Sequence, residues 1–358
     1  MNFNPPPSSA PDNEWSIEFL RGCAAMMVMY AHYYSLAGME RNLLNFFFTG
    51  VNLFFVISGF VFAPYFFHKK IQIKSFFIRR IFRIYPLYLV ALCSYAALRY
   101  LNGIPIEYFF EHLFFLHTLE SKEIAFYFNP AFWSLPPEIE FYLAIPLLCV
   151  LFRGGKPVRV LFFAALALHF VLAKNLDSKN LIFQIMIFHL PGLLVEFCLG
   201  ILTWMVVMAK PSLLWRLLLA TLGVALWLVL AQIFKTGGDA IIYNNKWLNG
   251  NMGLFAAVSY AFLMASFVGL IQNPSALLKK FAILIGNLSF GVYLFHNLMP
   301  SALEFSKAWF SSLQYAMVCA GATLVVAWIL NRFYENPFRK IGRRWANSVE
   351  QSQQVAAH

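Results

Sequence analysis

Residues Val160 to Val171 read VLFFAALALHFV, in which His169 is the single residue that is not apolar. Wound at 3.6 residues per turn, such a stretch has no polar face, which suits a helix surrounded by lipid. A strand of a membrane barrel would instead alternate apolar and polar residues. The remainder of the 358-residue chain agrees, being 60% hydrophobic, 18% aromatic and only 12% charged, against about 25% charged in an ordinary soluble domain. Forty Phe, 16 Tyr and 9 Trp exclude a disordered chain, and no Gly-X-Y or heptad period points to a fibre. The predicted fold class is an all-α polytopic integral membrane protein.

Ten apolar segments are long enough to span: Trp15 to Leu36, Phe46 to Phe67, Arg83 to Leu101, Trp133 to Phe152, Val160 to Lys174, Phe183 to Met208, Leu213 to Phe234, Met252 to Ile271, Ile283 to Leu303 and Leu313 to Tyr334. The fifth is short for a bilayer. An eleventh piece, Tyr108 to His117, is shorter still and holds Glu111 and His112, which predicts a re-entrant or interfacial helix. Residues 1–14 are rich in Pro and Ser and read as a disordered cytoplasmic tail, 15–335 as the membrane domain, and 336–358 as a basic cytoplasmic C-terminal tail.

Lys and Arg collect in short cytoplasmic loops, so their placement tests the count of spans. With the N-terminus inside, the cytoplasmic segments 69–83, 153–159, 210–216, 279–280 and 339–344 hold seventeen of them, and the opposite loops hold eight. Both termini are therefore expected in the cytoplasm. The net charge of +11 reports this bias and anionic lipid headgroups, and no motif suggests nucleic acid. The five cysteines lie singly within apolar stretches, without a CxxC pair, so neither a zinc site nor a redox disulfide is expected, and no metal is predicted. The two halves show no internal repeat, which weighs against many transporter folds.

Ionisable residues inside a membrane are costly and mark function by default. In the first span Arg21 and His32 are eleven residues apart, about 20° from three full turns and roughly 16 Å along the axis. A cation at the rim and an imidazole in depth suit an anionic cofactor threaded inward; a snorkelling Arg and a hydrogen-bonded core His is the plain alternative. Arg79, Arg80 and Arg83 open the third span in FIRRIFRIYPLY. Arg80 and Arg83, at i and i+3, can clamp a phosphate or carboxylate, or simply form an inside-positive flank. In WSLPPEIEFY, residues 133 to 142, paired prolines are expected to interrupt a membrane helix and so to require a lined cavity. Glu138 there is an acid, an acceptor for a sugar hydroxyl, a partner for His32, or an interfacial carboxylate of the loop. His296 and Glu335 sit at helix ends beside prolines and read as polar caps, Glu196 is intramembrane without an assigned role, and His112, His117, His169 and His189 show no metal or haem spacing.

The motifs IEFLRGCAAMMVMYAHYY, FFVISGFV, RRIFRIYPLY, FWSLPPEIEFYL, LSFGVYLFHN and YENPF, in this order over residues 15 to 340, resemble those of the acyltransferase-3 family of integral-membrane O-acyltransferases. The resemblance implies a ten-helix domain that takes an acyl group, usually acetyl, from cytoplasmic acyl-CoA. The acceptor it implies is a hydroxyl of a cell-surface or lipid-linked glycan, so that the reaction is an O-acetylation and the setting polysaccharide modification at the bacterial cytoplasmic (inner) membrane. By similarity Arg21 and His32 match the family's Arg/Lys-to-His pair, Arg80 and Arg83 its Arg-x-x-Arg pair, and Glu138 the first acid of its WSL-x-x-E motif. The second acid departs from the pattern, since Glu140 stands one residue beyond the usual Glu-Glu pair. Some members carry a further helix and an extracytoplasmic hydrolase-like domain, so a stand-alone form is expected here. On this reading Arg21, Arg80 and Arg83 hold CoA phosphates, and His32 deprotonates the acceptor or carries the acyl group itself, with Glu138 assisting. The rival reading is a transporter or flippase of a glycan or anionic substrate, with His32 and Glu138 as a proton relay.

Overall fold

A computed structural model describes residues 14–176 and 181–355. Residues 1–13 of the expected tail, and Asp177 and Lys179, lie outside the described residues. Among those described there are helices and no strands: α1 (Glu14–Tyr33), α2 (Gly50–Phe67), α3 (Ile73–Leu101), α4 (Phe109–Leu113), α5 (Lys122–Ala125), α6 (Leu135–Leu151), α7 (Gly155–Lys174), α8 (Leu181–Phe188), α9 (Leu190–Met208), α10 (Leu213–Asn244), α11 (Lys246–Phe267), α12 (Ala276–Phe295), α13 (Leu298–Ala302), α14 (Ser312–Leu330) and α15 (Asn336–Val355).

Nine helices among the described residues are long and apolar enough to cross a membrane. They overlap the second to tenth segments expected from hydropathy, although the third begins earlier, at Ile73, and the ninth is Ala276–Phe295 rather than Ile283 to Leu303. α1 has 20 residues, enough to span, but Glu18, Arg21 and His32 dilute its apolar character. The short fifth segment gains a turn at its start, because Gly155 to Arg159 continue the helix of α7 over 20 residues, about 30 Å at 1.5 Å each. Large apolar side chains on α10 point outward, including Leu214, Leu217, Leu218, Leu222 and Val229, as lipid rather than water as solvent requires.

The chain divides into two compact units, Met1–Lys69 with Leu147–Ser289, and Lys70–Pro146 with Phe290–His358. In the first, α2 and α9 pack backbone to backbone. A Cβ on Gly59 would stand 1.8 Å from the Phe197 carbonyl oxygen, and one on Gly200 would stand 2.0 Å from that of Val56. Small residues permit this approach, which matters in lipid because tail and side chain are equally apolar and helices must gain from close packing. Beside it Asn52 of α2 donates its amide to both carboxylate oxygens of Glu196 on α9, at 3.0 and 2.9 Å, with both residues buried. Glu196 thus has a structural partner on the neighbouring helix, as intramembrane polar groups require.

In the second unit, tyrosine side chains of α3 reach backbone carbonyls near the ends of other helices. The hydroxyl of Tyr88 donates to the carbonyl of His112 at 2.6 Å, and that of Tyr95 to the carbonyl of Leu294 at 3.2 Å. The predicted re-entrant piece is the single-turn α4, entered at Tyr108 with φ 54° and left at Phe115 with φ 59°. His112 and His117 are buried and stack ring on ring, centroids 4.1 Å apart. Each reaches a backbone carbonyl, Nδ1 of His112 that of Tyr108 and Nε2 of His117 that of Phe132.

α14 does not stop at the YENPF motif. A π-helical turn over Asn331–Glu335 leads straight into α15, so the expected C-terminal tail is helical to Val355. Pro337 follows the π turn directly; it has no N–H to give to the preceding turn and its ring crowds a carbonyl there, a disturbance that a π turn accommodates. Glu335 is buried, accepts from the amide of Asn331 at 3.1 Å and pairs with Arg339 at 3.5 Å.

Candidate functional site

Arg21 and His32 both lie on α1, in the first unit, Arg21 in its second turn and His32 in its last. Arg21 forms an ion pair with Glu18, one turn earlier. Glu18 is held by α12: a Cβ on Gly286 would come within 2.5 Å of Glu18 Cβ and of its carboxylate, so α12 must be bare at that position for the Glu18 backbone and carboxylate to fit. The i, i+3 spacing of Glu18 and Arg21 carries the signal for this ion pair, although sequence reasoning singled out Arg21 alone. Phe267 packs edge-on against Trp15 and tilted against Phe19, at 5.7 Å in each case, which fixes the first turns of α1 and with them the start of the Arg21 and His32 face.

In the second unit Arg80 and Arg83 sit one turn apart on α3, half-buried. Glu138 is in the first turn of α6. The paired prolines do not interrupt a helix, as expected from the sequence; they begin one. Asn129 caps a 3-10 segment, Pro130–Ser134, by accepting from the Ala131 N–H at 2.9 Å, and this segment runs directly into α6. Pro136 and Pro137 therefore occupy first-turn positions whose N–H groups have no intrahelical partner in any case. The opening is further tied by Tyr293, whose hydroxyl donates to the Ala131 carbonyl at 2.7 Å, and by Asn129, whose amide donates to the Leu294 carbonyl at 3.1 Å.

Tyr142 joins the two elements. Its hydroxyl donates to Glu138, one turn earlier on α6, and the Arg80 guanidinium lies over its ring, 5.7 Å from the centroid. The structure thus brings Arg80, Tyr142 and Glu138 into one cluster, with Arg83 a turn away. Tyr142 was missed by sequence reasoning, although its i, i+4 spacing from Glu138 was available. A cavity of about 100 Å³ is lined by Arg79, Arg80, Arg83, Arg339 and Arg343. Guanidinium forks around a cavity of that size suit phosphate or carboxylate oxygens.

His296 is buried, with Nδ1 against the Val292 carbonyl at 3.0 Å, so it fits the polar-cap reading. His169 is buried likewise, with Nδ1 2.8 Å from the Gly192 carbonyl. Among the described residues no group of three metal-ligating side chains comes together.

A family model described as an acyltransferase domain matches residues 14–332. Nodulation protein 10 of Rhizobium leguminosarum bv. viciae is 26% identical over 339 residues, covering 82% of this chain and 86% of that protein. ORF330 of Acidianus two-tailed virus is 27% identical over 301 residues, 79% of this chain and 82% of its own. O-acetyltransferase OatA of Staphylococcus aureus (strain NCTC 8325 / PS 47) is 24% identical over 335 residues, and the match takes 82% of this chain but only 53% of OatA. No solved structure matches. With the membrane-spanning helices and a family match over nearly the whole membrane domain, the chain belongs to the acyltransferase-3 family of integral-membrane acyltransferases.

Proposed function

We propose that this protein takes an acetyl group from cytoplasmic acyl-CoA and transfers it to a hydroxyl of a cell-surface or lipid-linked glycan, working in the bacterial cytoplasmic membrane with both termini inside. The observation that carries this reading is the arginine-lined cavity, to which Arg80 and Arg83 both contribute. An anion gate would use arginines too, but the family is one of acyltransferases, and acyl-CoA is an acyl donor that ends in phosphates.

Arg80, Arg83 and Arg21 bind the donor phosphates. His32 takes the proton of the acceptor hydroxyl, whose oxygen attacks the thioester carbonyl; the carbon–sulfur bond breaks, and the departing sulfur takes up that proton, so that CoA leaves as the thiol and His32 is neutral again. Neutral histidine is suited to this near pH 7, its ordinary pKa being about 6.5. Glu138, oriented by the Tyr142 hydroxyl, accepts a hydrogen bond from the acceptor.

The test uses purified protein in lipid nanodiscs with radiolabelled acetyl-CoA and a crude glycan extract. Wild type should release CoA and label the glycan, and His32→Ala should do neither while still binding CoA. Transport of label without CoA release would overturn the enzyme reading in favour of a transporter.

A further inference from the structure

Arg80 and Arg83 are part of a longer cationic wall. α3 and α15 run antiparallel: Ser75 and Arg79 meet Glu350, at 2.6 and 2.8 Å, whereas Phe82, further along α3, meets Trp345, earlier on α15. At Gly342 the helices touch, since a Cβ there would lie 2.3 Å from the Cβ of Phe82. Continuing in the same sense brings Arg83 level with Arg339 and Arg343. Arg79 and Arg83 are i and i+4 on one helix, as are Arg339 and Arg343 on the other, so each helix presents a ridge of guanidinium groups. The cavity that the ridges share, about 100 Å³, is lined by Arg79, Arg80, Arg83, Arg339 and Arg343 and, among the described residues, by no carboxylate. Arg79 also donates to Asn347 at 2.9 Å, and Arg339 pairs with Glu335 at 3.5 Å, which sets the direction of both side chains.

Glu350 and Glu335 offset part of the charge of Arg79 and Arg339, and five guanidinium groups sharing one small space still suit an anion of several charges. The space admits a phosphate or diphosphate group. We propose that Arg339 and Arg343, with Arg79, complete the donor site begun by Arg80 and Arg83, and that this pocket grips the phosphates at the nucleotide end of the donor. Arg339 and Arg343 then determine donor specificity: they favour CoA thioesters over thioesters of bare pantetheine. This rests on the acyl-CoA reading above.

The pocket chemistry could also be met by the phosphate of an anionic lipid, and the experiment separates the two. CoA and pantetheine binding are measured for wild type, Arg339→Gln, Arg343→Gln and Arg343→Lys, in nanodiscs of neutral lipid and of neutral lipid with added phosphatidylglycerol. Correct folding is checked by circular dichroism and size exclusion. Each Gln variant should weaken CoA binding at least about tenfold and leave pantetheine unchanged, with partial recovery in the Lys variant. CoA affinity equal in wild type and both Gln variants would overturn the proposal. So would a loss of phosphatidylglycerol binding in those variants with CoA affinity intact, which would assign the pocket to lipid. Absence of CoA binding in folded wild type would instead overturn the acyl-CoA reading itself.

Discussion

The guanidinium of Arg80 lies over the ring of Tyr142, 5.7 Å from its centroid, while the Tyr142 hydroxyl donates to Glu138. One side chain thus supports both a cation proposed to bind donor and an acid proposed to act on acceptor. Tyr142→Phe keeps the ring and loses the hydrogen bond. A hydrogen bond to a charged group is worth about 1.5–3 kcal/mol, so turnover should fall roughly 10- to 100-fold with CoA affinity unchanged. Tyr142→Leu should also weaken CoA binding. Turnover and calorimetric CoA titration of the two variants check this, and identical losses in both would remove the separate role of the hydroxyl.

Arg83→Ala and His32→Ala should divide binding from chemistry. The first is expected to weaken CoA about tenfold or more, the second to lower transfer by at least about 100-fold with CoA affinity kept. Equilibrium CoA binding beside single-turnover transfer reads both.

The Asn52 and Glu196 pair should be replaceable only as a pair. Asn52→Leu leaves a buried carboxyl group without its amide and should destabilise by about 1–3 kcal/mol. Glu196→Gln keeps a hydrogen-bonding partner and should be mild. The double Asn52→Leu, Glu196→Leu variant should recover stability relative to Asn52→Leu alone, as a thermal-unfolding cycle would reveal.

Gly59→Val places side-chain atoms where the Phe197 carbonyl already stands. Overpacking costs about 1–3 kcal/mol and often more when backbone must move, so the variant should unfold at lower temperature than wild type. A Val at Gly321, where an added Cβ meets nothing within 4 Å, is the matched control.

Acid should destabilise the loop that carries α4. Burial pushes the His112 imidazole down to about 4, against the raising pull of the Tyr108 carbonyl and Glu111. The unfolded chain then takes a proton near pH 6.5 that the folded one refuses, so this contribution to stability is complete above pH 6.5 and is lost progressively as pH falls toward 4. Thermal unfolding measured between pH 7.5 and 4.5 should show a steeper acid limb in wild type than in His112→Gln; equal slopes would exclude His112 as the group responsible.

The spans were legible because a helix in lipid is apolar on all faces, and that property is written in every residue of VLFFAALALHFV but His169. α1 was read as a span on its apolar residues although Glu18, Arg21 and His32 dilute them, and the eleven-residue spacing put Arg21 and His32 on one face. Contacts within one helix could have been read further than they were, as Glu18 with Arg21 and Glu138 with Tyr142 attest. The pairing of Arg79 with Glu350, 271 positions apart, could not be, since no periodicity links α3 to α15. The prolines of WSLPPEIEFY misled about local geometry because the same residue breaks a helix interior and favours a helix start, and only the cap at Asn129 decides between them.

The π turn over Asn331–Glu335 has a consequence for inheritance of the arginine wall. A π turn closes one turn with one residue more than an α turn, so it takes up an extra residue while the helix beyond it keeps the phase of the helix before it. Deleting one residue from 331–335 should therefore yield a plain α turn and leave Arg339 and Arg343 on the cavity, whereas deleting one from 336–338 would rotate both by about 100°. The segment is a buffer of helical phase: it tolerates a change of length that the helix on either side of it does not.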